Sequence, residues 1–251
     1  MIKLTVRRQY SDKIETQHQT MALTERLPKN LLLYILAILS QLSAISIVIL
    51  VGVWQGATGN NKGFSWATQP FRYHVFFMPM AFVILQGAAV IVYRVLPKQR
   101  KLHVKLAHAL LHSCALVFAW TAFGAIEKWK NDYNSKHFTT AHSWIGLSAL
   151  TLYVVQYVAG LVTFLNPWCP LRFRQRVLTL HRLVGATIFM LTTVQIIGYL
   201  CMESLNIECP PGKPFCRTKL MVNCSVLLMV VHAASTLLIL GTYKFRRPQD
   251  Y

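Results

Sequence analysis

Residues 142–165, HSWIGLSALTLYVVQYVAGLVTFL, form an apolar run that begins with a histidine. A run of this length matches the roughly 20 residues that a helix needs to cross the hydrocarbon core of a bilayer. Five further runs of this kind occur, so the sequence predicts six transmembrane spans, at about Leu31–Val53, Tyr73–Val95, Lys105–Ile126, His142–Leu165, Leu178–Met202 and Leu220–Tyr243. The expected fold class is therefore an all-α membrane protein.

The composition agrees with this fold class. Of the 251 residues, 54% are hydrophobic and 14% are charged, whereas soluble domains are about one quarter charged. The connections are short, so we expect residues 31–243 to form a single transmembrane domain, flanked by tails at 1–30 and 244–251. The first 30 residues are polar and contain no apolar core of the length that a cleaved signal peptide requires.

The placement of basic residues predicts the orientation in the membrane. The formal net charge is +18, and basic residues precede span one, separate spans two and three and spans four and five, and follow span six. The connections after spans three and five mix acidic and basic residues instead. The positive-inside rule then predicts that both termini are cytoplasmic. Nucleic-acid binding is disfavoured, because the basic residues lie at span ends rather than on one aromatic-rich face.

Four histidines lie near the starts of four successive spans: His74, His108, His142 and His181. Because successive helices cross in opposite directions, His74 and His142 are expected near the outer face, and His108 and His181 near the cytoplasmic face. A single histidine in a span is most often a hydrogen-bonded core residue. Two pairs at matched depths instead fit two bis-histidine haems, in which the iron keeps no open position, and this favours electron transfer.

Other metals and other histidines give alternative interpretations. Zinc sites cluster several ligands in one sphere, but each face offers only two histidines, which suit an iron already held by four porphyrin nitrogens. His112 shares a helix face with His108 and is an alternative ligand, although a core hydrogen bond or a haem-edge contact is the preferred reading. His232 is expected to pack in the core, and His137 lies in a connection near the outer face.

At these residues the sequence resembles the cytochrome b561 family of ascorbate-dependent transmembrane oxidoreductases, closely over residues 71–185. The family's VYR ending of the second span appears at residues 92–94, and its LHSW motif appears as AHSW at residues 141–144. The resemblance implies a central four-helix bundle that holds two haem b groups. It also implies the same histidine pairs, His74 with His142 and His108 with His181.

The resemblance further implies contacts to the donor and to a haem. Cationic residues at the cytoplasmic end, Lys101, Lys105 and Arg94, are expected to bind ascorbate, which is an anion at neutral pH. The alternative is that these three charges only set the topology or pair with haem propionates. Arg174 resembles a family arginine near the inner haem and is expected to hold a haem propionate, since guanidinium geometry suits a carboxylate.

The chain departs from the family pattern at two positions where proline is common. Val75 follows His74, and Thr179 stands two residues before His181. Neither difference removes a ligand, because proline shapes the start of a helix and does not bind iron. The differences suggest a divergent branch of the family.

The implied activity is that of a transmembrane ascorbate-dependent oxidoreductase. Electrons from cytoplasmic ascorbate are expected to reach an extracellular or luminal acceptor, either monodehydroascorbate or a ferric chelate. A plasma, endosomal or secretory-vesicle membrane is expected, and a homodimer is a family expectation.

One alternative is a haem-containing membrane reductase with another cytoplasmic donor. The other is a non-redox transporter, which the mostly continuous spans disfavour, with Pro79 as the main exception.

The cysteines leave one question open. Cys209 and Cys216 flank a short proline-rich stretch in the connection between spans five and six, which is expected on the outer side. That compartment permits a disulfide, and the sequence is equally compatible with two free thiols. The remaining four cysteines are expected to pack.

Overall fold

The computed structural model describes residues 31–57, 63–212, 214 and 216–246. Within these residues all regular structure is helical. Six long helices follow one another: α1 (Leu31–Ala57), α2 (Pro70–Val95), α3 (Lys101–Asp132), α4 (Ala141–Leu165), α5 (Leu171–Asn206) and α6 (Arg217–Gly241). A single 3₁₀ turn, Tyr243–Phe245, follows α6. The predicted tail at 1–30 and residues 247–251 of the second tail lie outside the described residues.

The six predicted spans are confirmed, and each is long and apolar enough to cross a membrane. Five of the six helices nevertheless extend beyond the predicted bounds, whereas α6 begins three residues before Leu220 and ends two residues before Tyr243. Helix α5 starts seven residues before the predicted Leu178, because the basic stretch from Leu171 continues the backbone hydrogen bonding of the helix without being apolar. An apolar run therefore marks the part of a helix that lies in hydrocarbon and not the helix itself.

Helix α2 is interrupted at the proline that the sequence singles out. Pro79 lies inside the helix, and a π-helical stretch, Met80–Leu85, follows it directly. Proline has no backbone N–H to donate and its ring crowds the carbonyl four residues earlier, so the chain relaxes into a wider turn. A second π-helical stretch, Leu161–Leu165, ends α4.

The helices pack mainly as antiparallel neighbours. Helix α2 packs along α3, α4 along α5, and α1 along α6, while α6 also contacts α5 and α1 also contacts α2. Helix α3 presents a stripe of fully buried alanines toward this core, comprising Ala115, Ala119, Ala122 and Ala125. Small residues allow transmembrane helices to approach closely. The close approach of α2 and α3 brings side chains of one helix within reach of the backbone of the other.

Candidate functional site

Helix starts determine where the four histidines lie. Pro70 occupies the first position of α2, where its fixed φ angle suits helix initiation, and His74 follows one turn later. Thr140 caps α4 by accepting a hydrogen bond from the backbone N–H of Ser143 at 3.3 Å, which places His142 in the first turn. His108 and His181 lie deeper within α3 and α5, which begin earlier relative to their apolar runs.

The structure brings the histidines together as two separate pairs. The ring centroids of His74 and His142 are 6.4 Å apart, with an angle of 72° between the ring planes. Those of His108 and His181 are 6.2 Å apart, with an angle of 61°. These are the pairings that helix direction predicts.

These separations fit one metal ion between the rings of each pair. Two imidazoles that bind one ion in line bring their ring centres to about 6 Å, since a bond from a metal to an imidazole nitrogen is about 2 Å long. Among the described residues no group of three or more His, Cys, Asp or Glu side chains forms a metal site. Two ligands per ion suit a haem iron, whose porphyrin provides the other four.

Hydrogen bonds from α2 and α3 set the tautomer of one histidine in each pair. Nδ1 of His74 donates to the carbonyl oxygen of Ala122 at 3.0 Å, and Nδ1 of His108 donates to that of Ala89 at 2.8 Å. A carbonyl only accepts, so Nδ1 carries the proton and Nε2 keeps its lone pair for a metal. Ligating histidines in metalloproteins are commonly fixed in this way.

The other histidine of each pair is held through its backbone. Nε2 of Gln195 in α5 donates to the carbonyl oxygen of His142 at 2.7 Å, and Nε2 of Gln156 in α4 donates to that of His181 at 2.5 Å. Gly160 lies against the ring of His181, where an added Cβ would come within 3.2 Å of Cε1. Sequence reasoning missed both glutamine contacts. The available signal was the repeated spacing of histidine, glycine and glutamine in α4 and α5.

Aromatic side chains surround both pairs. The ring of Phe71 stacks at 6.2 Å on that of His74, and Tyr199 lies 6.3 Å from His142. Around the other pair, Phe164 lies 5.1 Å from His181, and Tyr93 lies 5.3 Å from His108. Such a lining suits a large, flat, apolar cofactor.

His112 and His232 make contacts of their own. The ring of His112 lies 4.5 Å from that of His108, and its Nδ1 is hydrogen bonded to the hydroxyl group of Tyr153 at 2.6 Å. His232 in α6 is fully buried, and its Nδ1 donates to the carbonyl oxygen of Ser40 in α1 at 3.0 Å. Both histidines thus serve as hydrogen-bonded core residues.

The basic residues at the end where α3 and α5 begin bond largely to backbone carbonyls. Nζ of Lys105 donates to Phe164 at 3.0 Å, while Lys101 is exposed. Nη2 of Arg174 donates to Asn166 at 2.6 Å, and its Nε is buried without a partner among the described residues. Arg174 therefore has a spare donor that suits a carboxylate such as a haem propionate.

Arg94 is engaged with the end of α6. Its Nη1 donates to the carbonyl oxygen of Thr242 and its Nη2 to that of Leu240, both at 2.9 Å. The last carbonyls of a helix lack partners within the helix and attract positive charge. Arg94 thus caps α6, in addition to any role toward a substrate.

The opposite end carries the loop residues considered in the sequence. Nδ1 of His137 lies 3.2 Å from a carboxylate oxygen of Glu127, and its Nε2 lies 3.1 Å from Oδ1 of Asn131. Cys209 and Cys216 form a disulfide, which resolves the question that the sequence leaves open.

Comparisons with known proteins agree with this arrangement. The family model described as eukaryotic cytochrome b561 matches residues 73–205, a range that includes all four histidines. A Caenorhabditis elegans homologue of the transmembrane ascorbate-dependent reductase CYB561 is 35% identical, over 64% of this chain and 64% of that protein. This match falls just short of two thirds of the relative's length.

Two further relatives match over more of their length. The mouse plasma membrane ascorbate-dependent reductase CYBRD1 is 31% identical over 81% of this chain and 71% of that protein. The ascorbate-specific transmembrane electron transporter 1 of Zea mays is 31% identical over 72% of this chain and 77% of that protein.

Proposed function

Because the chain belongs to the eukaryotic cytochrome b561 family, we propose that it transfers electrons across a membrane from cytoplasmic ascorbate. The proposed acceptor is extracellular or luminal, either monodehydroascorbate or a ferric chelate. Relatives that carry the words ascorbate-dependent reductase or ascorbate-specific electron transporter in their names support the choice of donor. The two histidine pairs carry the proposal. The imidazoles of four helices form two separate pairs, which lie at two different depths in the bundle.

The two pairs are the proposed axial ligands of two haem b groups, with His74 and His142 at one haem and His108 and His181 at the other. Haem b bound there would supply a one-electron carrier. The carbonyl oxygens of Ala122 and Ala89 fix the imidazoles of His74 and His108. Arg174 is the proposed partner of a propionate, since its Nε is buried and unpaired among the described residues.

Ascorbate is proposed to bind at the end where α3 begins. Lys101 is exposed there, and Lys105 is joined to the His108–His181 pair through Phe164, whose carbonyl it bonds and whose ring contacts His181. An anion approaching this end meets several positive charges, which raise its local concentration. Arg94 contributes a fixed positive charge, because its guanidinium remains bonded to the end of α6.

The proposed orientation has both termini in the cytoplasm, as the basic connections indicate. The acceptor then meets the end where α2 and α4 begin, near the His74–His142 pair. A plasma, endosomal or secretory-vesicle membrane is proposed, and the mouse relative is named as a plasma membrane protein.

The proposal is tested by purifying the protein from cells supplied with haem and adding ascorbate. The expected result is a b-type spectrum with two haems per chain, both reduced by ascorbate. Vesicles of known sidedness, loaded with ascorbate, should then reduce external ferric chelate or ascorbate radical, and the faster of the two identifies the acceptor. A colourless protein would reject the haem sites. A two-haem protein that ascorbate fails to reduce would favour the alternative of another cytoplasmic donor.

A further inference from the structure

Helices α4 and α5 carry the same pattern of three residues. Each has a histidine of a pair, a glycine four residues later and a glutamine ten residues after that: His142, Gly146 and Gln156 in α4, and His181, Gly185 and Gln195 in α5. Because the helices are antiparallel, each glutamine lies at the depth of the other helix's histidine. Fourteen residues correspond to about 21 Å along a helix.

The hydrogen bonds cross between the two helices. Gln156 donates to the carbonyl oxygen of His181 at 2.5 Å, and Gln195 donates to that of His142 at 2.7 Å. Gly185 and Gly146 face these amides, since an added Cβ would lie 3.5 Å from Nε2 of Gln156 and 3.6 Å from Nε2 of Gln195. Each amide therefore approaches the partner helix at a position without a side chain.

These bonds compensate for a difference between the histidines of α2 and α3 and those of α4 and α5. His74 and His108 are fixed at the imidazole, through Nδ1. Within the described part of the chain, the side chains of His142 and His181 have no such bond. Among the described residues, the glutamine contact is the one side-chain hydrogen bond that reaches either histidine.

A hydrogen bond to the backbone carbonyl of a histidine restrains the orientation of its imidazole ring. A carbonyl oxygen has two lone pairs, and within a helix only one is used by the helical N–H. The glutamine amide occupies the second. Holding the carbonyl restrains rotation and tilt of the helix at that residue, and hence the direction in which the imidazole points.

We propose that Gln156 and Gln195 are positioning residues for the two haem sites. Their roles are crossed, because each glutamine acts on the histidine of the neighbouring helix and not on the histidine of its own helix. Gln156 positions His181, and Gln195 positions His142. This inference rests on the proposed function, because it assumes that the histidines bind haem.

The test replaces each glutamine by methionine, an unbranched side chain of similar length that cannot donate a hydrogen bond. The matched control is Gln41→Met, because Gln41 is also half-buried in a span and its amide bonds Ser40 rather than a paired histidine. The readouts are the g values of the ferric haems by electron paramagnetic resonance, which depend on the angle between the axial rings, and the midpoint potential of each haem. His108→Ala and His142→Ala, which each keep the other site, assign the signals.

The expected result is crossed. Gln156→Met should shift the g values and midpoint potential of the His108–His181 haem alone. Gln195→Met should shift those of the His74–His142 haem alone. Gln41→Met should shift the signals of neither haem. Gln156→Asn, whose amide is one methylene too short to reach, should reproduce the shift if the methionine variant folds poorly.

Three results would overturn the inference. The first is a shift only at the haem whose histidine lies on the same helix as the replaced glutamine. The others are equal shifts at both haems and no shift at either haem. A wild-type protein without haem would reject the proposed function itself. Unshifted signals in a haem-replete variant would reject only the crossed roles of the glutamines.

Discussion

The hydroxyl group of Tyr153 in α4 is hydrogen bonded at 2.6 Å to Nδ1 of His112 in α3, deep within the bundle. His112 in turn packs against His108, with ring centroids 4.5 Å apart. Tyr153 is 3% exposed, so water cannot replace this bond. The contact links α4 to α3 beside a proposed haem ligand.

Tyr153→Phe should therefore destabilise the protein. It leaves a buried histidine nitrogen without a partner, which costs about 1–3 kcal/mol. The matched control is Tyr157→Phe. Tyr157 bonds Ser113 at 2.6 Å, but Ser113 also bonds the carbonyl oxygen of Ala109 and keeps that partner. Unfolding in mixed detergent micelles measures both variants, and equal losses of stability would contradict the interpretation.

Gly87→Ala should displace His232. An added Cβ at Gly87 would lie 2.6 Å from Cε1 and 3.0 Å from Nε2 of His232, distances that require the fully buried ring to move. The control is Gly124→Ala, whose added Cβ meets no atom of the described residues within 4 Å and which should stabilise α3 by up to about 1 kcal/mol, since alanine favours helix.

A double variant tests whether this clash is local. Combined with His232→Ala, Gly87→Ala should cost less than the sum of the two single changes, because the ring that it strikes is gone. Thermal unfolding of the four proteins measures this coupling, and additive losses would show that Gly87 matters for another reason.

Loss of either member of a histidine pair should remove one and the same haem. His108→Ala and His181→Ala are expected to give the same single-haem spectrum, and His74→Ala and His142→Ala the other. Haem quantification and redox titration check this result. If His108→Ala and His142→Ala removed the same haem, the pairing would be wrong.

Arg94 and Lys105 should differ in what their replacement affects. Arg94→Ala removes two hydrogen bonds to the end of α6, so it should lower thermal stability clearly and the apparent affinity for ascorbate modestly. Lys105→Ala should mainly raise the KM for ascorbate, and the wild-type rate should fall as salt screens the positive end. Steady-state kinetics and unfolding on the same preparations separate the two effects. A large stability loss in Lys105→Ala with unchanged KM would contradict the assignment.

The fold could be predicted from the sequence because hydrocarbon imposes a simple rule on it. Spans such as 142–165 must be apolar and of fixed length, and six of them produce six helices. The pairing of His74 with His142 also follows from direction alone, since alternate helices start at the same face. The bounds of α3 and α5 could not be predicted in this way, because their polar ends continue the helix outside the apolar run.

The contacts of the site were less predictable, because they depend on how each helix is rotated about its axis. A span that is apolar on all sides gives little indication of its inward face. The bonds from Gln156 to His181 and from Arg94 to the carbonyls of α6 depend on that rotation and on helix spacing. The interruption after Pro79 was visible, but the π-helical turn that accommodates it was not.

The disulfide between Cys209 and Cys216 has a consequence for sidedness. It closes the connection between α5 and α6 into a small ring, and such bonds persist in oxidising compartments, whereas glutathione keeps cytosolic thiols reduced. Because alternate crossings end on opposite faces, this connection between the fifth and sixth of the described helices is expected on the side opposite to the start of α1 and the end of α6. An impermeant maleimide added to intact cells or sealed vesicles, before and after mild reduction, would thus report on which side the electrons emerge.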